Sequence, residues 1–154
     1  MQNIRVIQIP PLKVVSSGSI TTMEEFEAFD KWWSSIDAKH YITPRDFMYY
    51  NAKKNCVEWI FAIPEGHMGT GGYELVDYPG GLYAVGTSKD SEDECNKTKE
   101  VIRKWVTDSD CFELSTNEND SVERYEMTHV ITPKVFKEKM GYHLSDIFVP
   151  IVIK

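Results

Sequence analysis

The chain has 154 residues, 42% of them hydrophobic and 27% charged, which suits one soluble domain, residues 1–154, with a buried core. Its formal net charge is −7, and no apolar run approaches the ~18 residues that a membrane span requires. Residues 90–126 hold twelve acids and five bases, and no basic stripe offsets them, so direct DNA binding is not expected.

In chain order, the first predicted helix runs from about Met23 to Ile36. Its apolar side chains fall on one stripe: Phe26, Phe29, Trp32, Trp33 and Ile36. A capping box begins it, and both Thr21 with Glu24 and Thr22 with Glu25 fit. Strands follow at Phe47–Asn51 and Val57–Ile63. In the second strand, apolar residues occupy most positions of both alternating sets, which predicts burial on both faces. Residues 64–72 are glycine-rich without a phosphate-binding spacing, which favours a flexible rim loop.

The second half begins with a strand from Leu82 to Val85, after a Pro-Gly-Gly turn. A helix from about Glu92 to Val106 follows, with these side chains predicted inward: Cys95, Thr98, Val101, Ile102, Trp105 and Val106. A polar loop at 115–121 precedes a strand at 122–128. Residues 129–145 are irregular or form a short helix near 134–140, which Gly141 ends, and the last strand covers 147–153.

An internal repeat links the two halves. A shift of 70 residues brings residues 10–15 onto residues 80–85, and Thr21-x-x-Glu24 onto Ser91-x-x-Glu94. Each half then has the order strand–helix–strand–strand, over about 4–76 and 77–154. The helix stripes are one position out of phase under this shift, so the repeat is structural rather than close.

The sequence has no recognisable nucleophile or metal motif. It lacks a Gly-x-Ser-x-Gly elbow, and its four histidines form no i,i+4 pair: His40, His67, His129 and His143. The three cysteines lack metal-type spacing, which favours free thiols in a reducing compartment: Cys56, Cys95 and Cys111. The N-terminus has no basic and then apolar leader. We therefore expect no metal, no cofactor and a cytoplasmic location.

Two glutamates lie inside apolar strands. Glu58 occupies the sequence CVEWIF, and Glu123 occupies VERY. Each carboxylate could simply point to solvent or pair with a base across the sheet. In an aromatic cleft, by contrast, lost solvation would raise the carboxylate pKa unless a cation restores it. A flat cationic ligand supplies that charge and stacks on rings. The candidate rings, which core packing would also explain, are those of Tyr49, Trp59, Tyr83, Tyr125 and Phe148.

Four segments in order resemble the gyrase-inhibitor-like (GyrI-like) effector-binding domain, which is also found fused to AraC- and MerR-type transcription regulators. They are FDKWW at 29–33, DYPGGLYAV at 77–85, VERY at 122–125 and DIFVPI at 146–151. The resemblance covers Ile9 to Lys154. Tyr78 replaces the usual phenylalanine of the second segment, and Phe148 replaces the usual tyrosine of the last.

This resemblance implies an α+β fold in which two strand–helix–strand–strand modules share an antiparallel sheet with pseudo-twofold symmetry. The ligand would sit in a cleft between the modules. Glu123 and Tyr125 match the family's Glu-x-Tyr step, whose glutamate lies near the base of the cleft. Glu58 resembles a second family glutamate less closely, because Cys56 and Val57 replace the usual leading residues.

Three functions follow as expectations. The first is a bacterial, stand-alone domain that binds lipophilic, often cationic compounds for sensing or sequestration, through Glu123, Tyr125, Glu58 and the aromatic residues above. The second is a hydrolase of strained cyclopropane-type toxins, with Glu123 as general base and Tyr125 as hydrogen-bond donor. The third is a gyrase-inhibitor-like interaction, in which the acidic region at 90–126 meets a basic protein partner.

Overall fold

The computed structural model describes residues 3–37, 45–67 and 69–154. The strands and helices in these residues are β1 Arg5–Ile9, β2 Leu12–Ile20, α1 Met23–Asp37, β3 Asp46–Asn51, β4 Cys56–Ala62, β5 Glu74–Tyr78, β6 Gly81–Lys89, α2 Glu92–Thr107, β7 Phe112–Leu114, β8 Met127–Val130, α3 Lys134–Met140 and β9 Leu144–Ile153. The predicted α+β class is confirmed. None of these helices is long and apolar enough to cross a membrane.

The chain divides into two compact units. Residues Pro11–Tyr78 form the central unit, and Met1–Pro10 together with Pro79–Lys154 form the terminal unit. Both contain the predicted order strand–helix–strand–strand, as β2-α1-β3-β4 and β6-α2-β8-β9. The predicted repeat limits, 4–76 and 77–154, describe a symmetry of the sequence and stay a prediction.

In the central unit the antiparallel strand order is β3-β4-β2-β5. Trp59 and Phe61 of β4 face α1 and join its side chains in one core cluster: Val15, Phe29, Trp33, Ile36, Trp59 and Phe61. Because side chains alternate along a strand, Glu58 and Ile60 lie on the face opposite α1. We call this the second face of the unit. Both residues are buried there, as the strand pattern predicts.

Helix α1 begins at the second of the two predicted capping boxes. The Glu25 amide donates to Thr22 Oγ1 at 3.2 Å. The Glu25 carboxylate accepts hydrogen bonds from the amides of Thr22, at 3.1 Å, and Thr21, at 2.8 Å. These reciprocal bonds satisfy amides that a helix start leaves without partners, so the helix begins at Met23.

In the terminal unit the antiparallel order is β1-β6-β9-β8, and β7 also pairs with β9. The core under α2 consists of Ala84, Ile102, Val106, Ile147, Val149 and Ile151. Alternation therefore places Tyr83 and Phe148 on the face opposite α2, the second face of this unit. The short helix α3 ends at Gly141, whose φ of 82° is in the left-handed region, as predicted.

Three predictions about elements require correction. The strand expected at 122–128 is wrong, because β8 covers only Met127–Val130. The segment just before β8 does not join the sheet as a strand. It is held instead by the side chain of Arg124, which donates hydrogen bonds to backbone carbonyls elsewhere in the terminal unit. Val101 and Trp105 are exposed, because the buried stripe of α2 is narrower than predicted: Thr98, Ile102 and Val106. The prediction also missed β1 and β7, and it set no bounds for the strand expected after residue 72, which is β5.

Candidate functional site

Glu58 lies in a buried polar cluster on the second face of the central unit. Its residue is only 5% exposed. Its carboxylate accepts hydrogen bonds from Tyr49 Oη and from Asn51 Nδ2, the latter at 3.2 Å. Lys54 Nζ lies 2.9 Å from Glu58 Oε1 and forms an ion pair with it. The register of β3 and β4 sets this geometry, since Tyr49 lies directly opposite Glu58.

These contacts keep the Glu58 carboxylate charged. Burial is the largest single influence and by itself raises the pKa of Glu58. The hydrogen bonds from Tyr49 and Lys54, the positive charge of Lys54 and the hydrogen bond from Asn51 act in the other direction. Together they outweigh burial, so the pKa of Glu58 lies below its ordinary value. Glu58 is thus an anion at neutral pH.

Lys54 differs from the other donors because its side chain is 59% exposed. It lies in the turn between β3 and β4, where the Asn51 side chain accepts hydrogen bonds from the backbone amides of Lys53 and Lys54. The turn is therefore fixed at its backbone while the ammonium group of Lys54 reaches Glu58 from the solvent side. The ion pair thus joins an exposed base to a buried acid, whose side chain is only 6% exposed.

The structure separates Trp59 from Glu58, although the two are neighbours in sequence. Trp59 faces α1, with its ring centroid 4.7 Å from that of Phe26 and 5.6 Å from that of Trp33. Its indole Nε1 donates to Asp46 Oδ2 at 2.8 Å. These contacts make Trp59 a core residue of the central unit. Half-buried Phe47 and Tyr49 are the aromatic residues of β3 that share the face of Glu58.

In the terminal unit, Tyr83 and Phe148 meet on the second face. Both are buried, and their ring centroids lie 5.9 Å apart in an edge-to-face arrangement. The guanidinium carbon of Arg124 lies 5.1 Å from the Tyr83 ring centroid, so this ring already has a cation over it. The Arg124 side chain is only 3% exposed and pairs with Asp120 at 2.7 Å.

Arg124 is the third residue of the VERY segment. It donates to the backbone carbonyls of Leu82, at 2.7 Å, and Ile151, at 2.8 Å. Asp120 also accepts from Ser115 Oγ at 2.7 Å. Burial, the largest influence, raises the pKa of Asp120, but the hydrogen bonds from Ser115, Arg124 and the Val122 amide, with the charge of Arg124, lower it overall. This network fixes the segment between β7 and β8.

Both glycines of the Pro-Gly-Gly turn occupy positions where a larger side chain would clash. Gly80 has a φ of 70°, and a Cβ atom there would overlap the backbone of Ile9 and Pro10. Gly81 has a φ of 130°, and a Cβ atom there would overlap the guanidinium of Arg124. Residues other than glycine rarely adopt such φ values. The turn thus lets the chain pass close to β1 and leaves room for Arg124.

Glu123 and Tyr125 flank Arg124 in the segment before β8. Glu123 is exposed and Tyr125 is half-buried. Neither lies in a strand, so the assumption that Glu123 sits inside an apolar strand is wrong. Their proposed roles in a ligand site stay predictions. Of the predicted site residues, the structure brings together Tyr83 and Phe148 in the terminal unit, and Glu58 and Tyr49 in the central unit.

Sequence reasoning missed the partners that determine the charge of these sites: Asn51, Lys54, Asp120 and Arg124. The Asn-x-x-Lys spacing in the turn after β3 could have indicated that Lys54 contacts Glu58, because a hairpin returns the chain to the partner strand. The role of Arg124 had no such indication. Its carbonyl partners are distant in sequence.

A cavity of about 590 Å³ lies beside the C-terminal end of α2 in the terminal unit. Its lining residues are Val106, Thr107, Phe112, Glu113, Leu114, Thr116, Glu118, Asn119 and Lys154. None of the predicted site residues lines it. In the described parts of the chain, no three histidine, cysteine, aspartate or glutamate side chains are grouped to hold a metal ion. His40 lies outside those parts, and the absence of a metal or cofactor stays a prediction.

Comparison with known proteins gives a match in fold. No protein-family model and no curated protein sequence matches the chain. The crystal structure of the EcmrR C-terminal domain has a TM-score of 0.66 and 13% identity, and the match covers 99% of this chain and 98% of that one. A hydrolase from Listeria innocua has a TM-score of 0.62 and 11% identity, with 97% and 91% covered.

A third solved structure is that of SAV2435 bound to tetraphenylphosphonium. Its TM-score is 0.50 and its identity 9%, and the match covers 97% of this chain and 94% of that one. The chain spans 57% of EcmrR as seen in a DNA complex. At these identities the likeness concerns the fold, and the fold is that of the GyrI-like resemblance.

Proposed function

We propose that the chain is a small-molecule-binding domain for lipophilic, often cationic compounds, and that Glu58 is the carboxylate that recognises their charge. The observation that carries this proposal is the buried, ionised carboxylate of Glu58, which has aromatic neighbours on its face and an exposed lysine as counter-ion.

Lys54 acts as a stand-in for the ligand. Its ammonium group supplies the positive charge that a buried carboxylate requires while no ligand is bound. An incoming cation replaces this charge, and Lys54, whose side chain is already 59% exposed, turns to solvent. Ring contacts with Tyr49 and Phe47 add on the order of 0.5–2 kcal/mol each when a cation lies over the ring face.

The shared folds support this class of function. The EcmrR domain and SAV2435 have the same fold, and the latter was solved with a lipophilic cation, tetraphenylphosphonium. Sensing or sequestration would use the same site. Hydrolysis by Glu123 and Tyr125, and a gyrase-inhibitor-like contact through residues 90–126, remain alternatives; loss of turnover of a cyclopropane-bearing substrate in Glu123→Gln tests the first.

The test is calorimetric titration with tetraphenylphosphonium and its neutral relative, triphenylphosphine oxide. Glu58→Gln should weaken binding of the cation at least about fivefold, since an ion pair of ~1 kcal/mol is lost, and should leave the neutral compound unaffected. Lys54→Met should tighten binding of the cation, because the competing ammonium group is gone. Lys53→Met, which removes the same charge from the same turn, is the matched control.

Equal losses for the cation and the neutral compound in Glu58→Gln would contradict a charge-recognition role. So would identical cation affinities for Lys54→Met and Lys53→Met, because Lys54 is the lysine in the ion pair with Glu58.

A further inference from the structure

Asp146 holds, in the terminal unit, the position that Glu58 holds in the central unit. On the helix-facing sides, Val15 pairs with Phe61 across β2 and β4, and Ala84 pairs with Val149 across β6 and β9. Superposing these two pairs makes β4 and β9 equivalent. Glu58 comes three residues before Phe61, and Asp146 comes three residues before Val149. Both carboxylates therefore lie on the second face of an inner strand of their own unit, β4 or β9.

The surroundings of Asp146 repeat those of Glu58 in kind. Asp146 is buried, and its Oδ1 accepts a hydrogen bond from Thr87 Oγ1 at 2.6 Å. Arg5 Nη2 lies 2.7 Å from the same oxygen, and the Arg5 side chain is 47% exposed. A buried carboxylate again has a hydroxyl donor from a neighbouring strand and an exposed base as counter-ion. The 70-residue sequence repeat alone did not indicate this correspondence.

Aromatic groups flank Asp146 on its own face. His129 of β8 lies directly opposite Asp146 in the strand register and is buried. Phe148, two residues along β9, has its ring centroid 6.5 Å from that of His129. Tyr49 opposite Glu58 and His129 opposite Asp146 occupy equivalent positions, so an aromatic ring accompanies the carboxylate in both units.

We propose that Asp146 forms a second cation-binding site, for compounds that carry a flat amidinium or guanidinium group on an aromatic body. The guanidinium of Arg5 occupies the position of the ligand charge, and a planar cation reproduces its hydrogen bonding to a carboxylate. The aromatic body contacts the ring of Phe148. Arg5 turns to solvent when the ligand binds. The site belongs to the terminal unit and does not require binding at Glu58.

The test uses benzamidine, with the uncharged benzamide as its matched control, in NMR titrations of the isotope-labelled full chain. Benzamidine should shift the backbone amides of Thr87, Asp146 and Phe148. Asp146→Asn should weaken its binding at least about fivefold, for loss of ~1 kcal/mol of ion pairing. Arg5→Gln should tighten it. Asp77→Asn, which removes an acid from an exposed ion pair with Lys13, should change nothing.

Benzamidine shifts confined to other residues, equal binding of benzamide, or unchanged affinity in Asp146→Asn would each overturn the proposal. Should Asp146→Asn fail to fold, Arg5→Gln decides, and an affinity equal to that of the unmodified chain overturns it. Glu58→Gln separates this inference from the proposed function. It should leave the benzamidine response of Thr87 intact, even if tetraphenylphosphonium proves not to bind at Glu58.

Discussion

Glu58 illustrates how a few donors decide the state of one buried acid. Burial alone would favour the neutral carboxyl group, yet Tyr49, Asn51 and Lys54 bring enough compensation to hold its pKa below the ordinary value. The alternation of β4 made its burial predictable from sequence. Its partners were not, since Tyr49 depends on strand register and Lys54 on the path of a turn.

The lowered pKa of Glu58 implies a defined pH dependence of stability. A carboxylate whose pKa is lower in the folded chain contributes stability that is present above the ordinary glutamate pKa of about 4.3 and is lost as pH falls through the folded value. We expect Glu58→Gln to lower the free energy of unfolding by about 1–3 kcal/mol at pH 7, since it weakens buried charge-assisted bonds. Urea titrations should show the difference shrinking towards pH 3. A difference independent of pH would be inconsistent with an ionised Glu58.

Gly81 and Arg124 give a second prediction for individual residues. Gly81→Ala both forces a φ of 130° on alanine and overlaps the guanidinium of Arg124. We expect a loss of more than about 1 kcal/mol in the free energy of unfolding, measured by urea titration. Gly66→Ala is the matched control, because Gly66 has a φ of 81° and an added Cβ there would meet nothing within 4 Å, so it carries only the backbone strain.

A double-mutant cycle with Arg124→Ala separates the overlap from the strain. If the overlap matters, Gly81→Ala should cost less in the Arg124→Ala background than in the unmodified chain. Strict additivity of the two losses would show that Arg124 and Gly81 are not coupled.

Among the elements, the start of α1 offers the sharpest test. The sequence allowed two capping boxes. The structure forms the one with Thr22, whose hydroxyl accepts a hydrogen bond from the Glu25 amide. Thr22→Ala should lower the free energy of unfolding by about 0.5–2 kcal/mol. Thr21→Ala should cost less, because it removes only the hydroxyl bond to the Glu25 carboxylate at 3.2 Å, whereas Thr22→Ala removes the acceptor of the Glu25 amide. Thermal unfolding of the two variants compares their stabilities. A larger loss of stability in Thr21→Ala than in Thr22→Ala would contradict a cap at Thr22.

Elements with strong apolar periodicity were the ones that the sequence predicted well. Both long helices begin at a hydroxyl cap and follow a buried stripe, and their limits agree with the structure to within about one residue. Strands β1 and β5 are mostly exposed, with burial patterns that carry no alternation of buried and exposed residues. They form through pairing with β6 and β2, which a local pattern does not encode.

At the scale of the whole molecule, the two units share more than the order of their elements. The sequence repeat predicted two strand–helix–strand–strand units, and each unit has one buried carboxylate on an inner strand, on the face opposite the helix. The sequence favoured Glu123 as the site carboxylate on the strength of a motif. Side-chain burial favours Glu58, because Glu58 is only 5% exposed whereas Glu123 is an exposed residue.

The most direct test of charge recognition by Glu58 is a crystal structure of the chain grown with tetraphenylphosphonium. We expect the cation on the second face of the central unit, against Glu58 and the ring of Tyr49, with the Lys54 ammonium turned to solvent. A cation bound instead in the cavity beside Phe112 and Leu114, with the ion pair between Lys54 and Glu58 intact, would contradict charge recognition by Glu58.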